Sequence, residues 1–268
     1  MYPYIILSCG YMQYHAGIRA LFILCDKLNK AGAEAYMFAN GQMPRMQAPD
    51  LNNDRQKLSE LIAAGAIVVY PEIFSDNILG AKRPVSWMLN NKAVNIGERF
   101  FYHTNMAGAK AERMLTIDVI EHDLFNTDNN YERVHNTAWI GKGRVDDRLY
   151  EIPDLKIITN QIPSDRAELA IWLKQSKAFY TFDAMTALIG EAALCGTPVV
   201  YLRNGSNTAM SEETTLRISR NGYACGFGAL KRAEKTVSKY AADYKAYFGN
   251  GDEHVRNFIN ITQSMEEL

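Results

Sequence analysis

The sequence predicts an α/β protein made of two successive parallel-sheet halves, and three observations predict it. Short apolar runs alternate with stretches of helical periodicity along most of the chain, the pattern of repeated βαβ units. A polar, turn-rich segment, Asn126-Thr127-Asp128-Asn129-Asn130, interrupts the alternation, which then restarts. The 268 residues exceed the usual size of one domain and suffice for two small ones.

In the first half, residues 4–7 form an apolar strand, Cys9-Gly10-Tyr11 a loop, and His15-Ala16-Gly17 the opening of a helix that reaches Lys30. Ile18, Leu21, Cys25 and Leu28 recur on one face of that helix, and Gly32 supplies its stop. A strand at 35–39, a helix at 54–64 and a strand at 67–70 continue the pattern. After Gly80 and Pro84, residues 85–90 read as a helix, and 99–102 and 115–120 as strands. This half is assigned to residues 1–128.

The second half, 129–251, holds strands at 138–140, 155–159, 178–182 and 198–202. A helix at 165–175 begins with Asp165 and Glu168 at capping-box spacing, and another at 186–194 is closed by Gly196. From Glu212 onward the pattern is mostly helical, and the C-terminal helix, 252–268, is placed to pack back on the first half.

Composition excludes several classes. With 47% apolar and 22% charged residues the chain has an ordinary globular core rather than a disordered one. A formal net charge of −1 rules out a global basic field and leaves only a local basic groove for nucleic acid. The four cysteines lack CxxC spacing and read as reduced core residues. No apolar run approaches the roughly 20 residues that cross a bilayer, so no membrane span and a cytoplasmic location are expected. Asp146-Asp147 has no companions to complete a metal shell, and neither a metal nor a resident cofactor is expected. HExxH, GxSxG and GxxxxGK[ST] are all missing from the sequence.

The chemistry concentrates in residues 179–200. Asp183 ends a strand, Thr186 and Ala187 open a helix, and Glu191 follows eight positions after Asp183. Beyond the carboxyl end of a strand, a helix start attracts phosphate, which places Thr186 and Ala187 to meet a diphosphate. Glu191, about one and a half turns further, would take a ribose diol, leaving Asp183 to face a donor sugar.

This segment resembles the donor-binding motif of retaining GT-B glycosyltransferases, whose acids are spaced E-x7-E, with Asp183 in place of the first Glu. The following Ala193-Leu194-Cys195-Gly196-Thr197-Pro198 is similar to that family's helix-to-strand junction. The resemblance implies a GT-B fold, two Rossmann-like domains facing a cleft, the C-terminal one holding a nucleotide-sugar donor, a UDP-sugar. Trp139-Ile140-Gly141-Lys142-Gly143-Arg144 resembles the loop after the first strand of that domain. It implies that Gly141 approaches the donor while Lys142 and Arg144 neutralise the leaving diphosphate. Gly10 and Gly17, flanking Tyr11 and His15, are similar to the family's N-terminal glycine loop. There Gly17 admits the donor, and His15 orients a hydroxyl or assists proton transfer. Residues 69–73 and 80–90 resemble a stretch of bacterial surface-polysaccharide glycosyltransferases, with Glu72 on the cleft side.

The function so implied is transfer of a hexosyl or pentosyl group to a hydroxyl acceptor with retention. Two acceptors fit: a surface glycan, or a hydroxylated base in DNA, by glucosyl or arabinosyl transfer to hydroxylated cytosine as in phage DNA modification. DNA would need a row of cations, for which Arg19, Lys82, Arg83, Lys110 and Arg113 are candidates. A non-catalytic nucleotide-sugar binder is the third reading.

Overall fold

A computed structural model of the chain describes residues 1–44, 49–90, 92, 94, 96–142, 144–203 and 216–267. It divides into two compact units, Met1–Val119 with Phe248–Leu268, and Ile120–Tyr247.

In the first unit, β1 (Tyr4–Leu7), β2 (Ala35–Phe38), β3 (Ile67–Pro71), β4 (Arg83–Met88) and β5 (Glu98–Phe101) form a parallel sheet in the order β2-β1-β3-β4-β5. β1 and β3 are buried at every residue, which is why they read as unbroken apolar runs. α1 (Ala16–Lys30) buries Leu21, Leu24, Cys25 and Leu28, and Gly32 beyond its end has φ of 83°. α2 (Arg55–Ala63) is capped by Asp54, whose carboxylate accepts the Lys57 N–H at 2.9 Å.

Two expectations for this unit are corrected. The helix expected at 85–90 is strand β4, all of whose residues are buried between β3 and β5. The Trp87 indole donates to the Leu115 carbonyl at 3.0 Å and the Ser86 hydroxyl to the Ile96 carbonyl at 2.6 Å. A helix would have hidden one face only. Residues 115–120 form no strand, because side chains take up their backbone groups. The Tyr102 hydroxyl donates to the Ile117 carbonyl at 2.5 Å, and the Thr116 N–H donates to His254 Nδ1 at 3.2 Å.

The second unit contains β6 (His135–Trp139), β7 (Leu155–Ile158), α3 (Arg166–Lys174), β8 (Ser176–Thr181), α4 (Leu188–Leu194), β9 (Val199–Tyr201) and β10 (Tyr223–Cys225). Its strands form a second parallel sheet, β10-β9-β8-β6-β7, with Ala138, Leu149, Ala178, Tyr180, Phe182, Val200 and Leu202 in one core cluster. Asp165 caps α3 by accepting the Glu168 N–H at 2.8 Å. α5 (Leu230–Glu234), α6 (Tyr240–Phe248) and α7 (Gly251–Gln263) follow. α7 belongs to the first unit, where Phe258 meets the rings of Tyr4 and Phe100, and Lys27 pairs with Asp252 at 2.5 Å.

The chain passes between units at residues 119–120, ahead of the polar segment at 126–130. Packing explains the shift. Phe125 is fully buried, with the Arg166 guanidinium 4.5 Å from its ring, and the Asn126 side chain takes the Lys174 ammonium at 2.7 Å. Of the cysteines, Cys25 and Cys195 are buried, whereas Cys9 and Cys225 are exposed where the chain leaves β1 and β10.

Candidate active site

Each sheet has the order 2-1-3-4-5, so successive connections depart in opposite directions between its first and third strands. Ligands of open α/β sheets bind beyond the carboxyl ends of the strands at that point. In the second unit it lies between β6 and β8. There the loop 140–142 leaves β6, the loop 182–187 leaves β8, and the two touch.

Asp183 joins them. Its side chain, 6% exposed, accepts the Met185 N–H at 3.0 Å through Oδ1 and the Lys142 N–H at 3.4 Å through Oδ2. Gly141 has φ of 56°, and a Cβ there would lie 2.5 Å from Asp183 Oδ2 and 2.7 Å from Asp183 Cβ. Only glycine allows this approach. Lys142 and Arg144 are both exposed beside the junction, and Gly143 lies outside the described residues. Thr186 and Ala187 precede α4, which starts at Leu188 rather than at Thr186. The Thr186 hydroxyl accepts the Leu188 N–H at 3.3 Å, and Ala187 occupies the N-cap position without a side-chain cap.

Glu191 requires a correction. It is 1% exposed, and its carboxylate accepts Arg166 Nη2–H at 2.7 Å and Nη1–H at 3.1 Å. Arg166 Nε donates to Glu121 at 2.8 Å. The ribose contact expected of Glu191 is not what this geometry offers. All seven residues of α4 are buried, so a carboxylate on that helix must find its partner inside the protein. Burial alone would lower the Arg166 pKa, but Glu191 and Glu121 more than offset it and hold the guanidinium above its ordinary value.

Sequence reading missed Arg166, for which the capping-box spacing of Asp165 and Glu168 was the only signal, and Glu121, for which there was none. It also missed Gly190, where a Cβ would stand 2.9 Å from Ile120 Cδ1 and 3.4 Å from the Tyr240 hydroxyl.

In the first unit the corresponding point lies between β1 and β3, from which Ser8, Cys9 and Gly10, and Glu72, respectively emerge. Glu72 is buried and accepts the Leu89 N–H at 3.2 Å. His15 is exposed at the N-cap position of α1 and makes no side-chain cap. A Cβ at Gly17 would meet only Leu89 Cδ1, at 3.6 Å, so the packing seen here does not demand glycine. The row of DNA-facing cations is corrected as well. Arg19 and Arg83 are buried, Lys82 pairs with Glu267 at 3.2 Å and Arg113 with Glu98 at 3.2 Å, whereas Lys110 stays exposed.

Among the described residues, no three His, Cys, Asp or Glu side chains gather to hold a metal ion. No described helix is long and apolar enough to cross a membrane.

No protein-family model and no curated protein matches this sequence. Among solved structures, the glycosyltransferase SnogD from Streptomyces nogalater is similar over 98% of this chain and 100% of its own, with a TM-score of 0.51 and 8% identity. An alpha-glucosyltransferase in complex with UDP and a 13-mer DNA containing a central A:G mismatch is matched over 96% of this chain and 94% of its own, with a TM-score of 0.46 and 11% identity. A UDP-N-acetylglucosamine 2-epimerase is matched over 96% and 91%, with a TM-score of 0.43 and 13% identity. At such identities the likeness is one of fold. The two parallel-sheet units together have the GT-B fold. A fold hosts many chemistries, so activity has to be argued from the site.

Proposed function

We propose that this chain is a glycosyltransferase that moves a sugar from a nucleoside-diphosphate donor, a UDP-sugar, to a hydroxyl acceptor. The observation that carries this reading is the junction of the loops 140–142 and 182–187, where Asp183 clamps the amides of Lys142 and Met185 over a glycine of φ 56°. Two exposed cations, Lys142 and Arg144, stand beside it.

In the transfer, the bond from the anomeric carbon to the diphosphate oxygen breaks and the acceptor oxygen bonds that carbon. The hydroxyl proton leaves with a base or on the departing nucleoside diphosphate, where negative charge accumulates. In a metal-independent transfer that charge falls to Lys142, as a point charge, and to Arg144, as a planar fork. Asp183 acts as a positioning residue, while Gly141, Thr186 and Ala187 border the donor's place. Glu191 anchors α4 through Arg166 and does not touch the ribose. For His15 and Gly17 the reading keeps the roles that the resemblance implies, and with them retention at the anomeric carbon.

The test is a screen of nucleotide release over a panel of nucleotide-sugars, with glycan and hydroxymethylated DNA acceptors in parallel. Turnover with one donor, cut about a hundredfold or more by Lys142→Ala, supports the reading. Donor binding without turnover, unchanged in that variant, marks a non-catalytic binder and overturns it.

A further inference from the structure

We propose that the β10 edge of the second sheet binds the phosphate backbone of nucleic acid through Arg203, Arg220 and Arg232. These arginines line one cavity of about 320 Å³, together with Leu216, Tyr223 and Cys225. β10 is the edge strand; Arg220 precedes it, Arg203 follows β9 and Arg232 lies on α5. Three separate parts of the chain thus bring arginines to one cavity.

Among the described residues no Asp or Glu lines the cavity, and neither Arg220 nor Arg232 forms an ion pair. Some other cations of the chain do meet an acid, as in Lys27–Asp252, Lys30–Asp26, Lys82–Glu267 and Arg148–Asp146. The charge also continues past the cavity: residues 203–239 contain seven basic residues and three acids, in a chain of formal net charge −1. Lys231 and Lys235, both exposed, flank Arg232.

A small anion would need the cavity alone, whereas a basic strip running beyond it suits a polymer with regularly repeated negative charge. Arginine presents the bidentate fork that matches phosphate geometry. Cations also guard a sheet edge against pairing with another chain. All three arginines are exposed, as guarding would need, but guarding gives no reason for arginines of three separate elements to line one cavity. Contacts of this kind fix position on the polymer without reading its sequence. The inference stands apart from the transfer reading, since the donor loops leave β6 and β8 rather than β9 and β10.

Cys225, an exposed thiol lining the cavity, is a local reporter, and Cys9, also exposed, is a control in the other unit. The assay combines anisotropy of a short fluorescent DNA duplex, without donor sugar, with maleimide labelling of both thiols read by mass spectrometry. DNA at ten times its Kd is expected to slow labelling of Cys225 about tenfold and to leave Cys9 unchanged. The double variant Arg220→Ala/Arg232→Ala is expected to weaken binding and to lower the slope of log K against log salt by about 2. Three results overturn the proposal: no DNA binding at about 50 mM salt, binding that leaves Cys225 labelling unchanged, or protection by free diphosphate equal to that by DNA. Should the double variant fail to fold, protection of Cys225 in the unaltered chain decides.

Discussion

Replacing Gly141 with alanine tests the junction of the two loops directly. The new side chain meets two separate costs. At φ of 56° a Cβ costs about 1–2 kcal/mol in backbone strain alone. It would also stand 2.5 Å from Asp183 Oδ2, 2.7 Å from Asp183 Cβ and closer still to Trp139 Nε1, and such overpacking adds about 1–3 kcal/mol. Gly80, in the first unit, separates the two: its φ of 61° is close to that of Gly141, and a Cβ there has nothing within 4 Å. Gly80→Ala should therefore lose only the backbone term, and Gly141→Ala about 1–3 kcal/mol more. Urea unfolding monitored by circular dichroism, with unchanged slopes, measures the difference as a shift of midpoint. Equal midpoints for the two variants would refute the packing of Asp183 against Gly141. A displaced Asp183 also releases the Lys142 amide, so the Gly141 variant should lose transfer activity that the Gly80 variant keeps.

Other outcomes follow from buried groups. Glu191→Gln leaves the Arg166 charge buried with Glu121 alone and should cost about 3 kcal/mol by the same urea assay, whereas Arg166→Met combined with Glu191→Leu should cost less than either single change; a loss of under about 1 kcal/mol for the single change would show the pair to be solvated. The His135 ring is buried and donates from Nε2 to the Trp172 carbonyl at 3.0 Å, and burial, with Lys156 adding to it, holds its pKa below the ordinary value. Above about pH 6.5 the ring is neutral in both states and contributes nothing, but below it the unfolded chain takes the proton first. Stability should therefore fall as pH drops from there towards the folded pKa, and His135→Gln should flatten that dependence; a parallel decline in the variant would exclude His135 as its source. Burial pushes the Cys25 and Cys195 thiols up to about 12, so a disulfide reagent should titrate Cys9 and Cys225 in the native protein and the other two only after unfolding.

Much of the fold was legible because its signals are local. The βαβ alternation reports burial on both faces of a parallel sheet, and Gly32 and Asp165 act within a turn of their own position. The capping box is realised with a difference, since the Glu168 carboxylate accepts the Ser164 N–H at 3.0 Å rather than that of Asp165. Residues 85–90 misled because a short apolar run does not distinguish a buried strand from a helix. The site was legible in part: Asp183 and the loop after β6 do meet at the switch point. Glu191 was placed on the correct helix but given the wrong neighbour, because its partner Arg166 lies in another element.

The sequence by itself determined most of the alternation of strands and helices, the stop at Gly32 and the placing of Lys142, Arg144 and Asp183 just beyond strand ends, though not β4 or β10. Tertiary structure decided which charges face water. It buried Arg19 and Arg83, closed Glu191 on Arg166, and drew Arg203, Arg220 and Arg232 to one cavity. Periodicity and capping depend on neighbours within a turn of the chain, whereas the fate of a charge depends on groups brought near it by long-range packing, which residue spacing does not record.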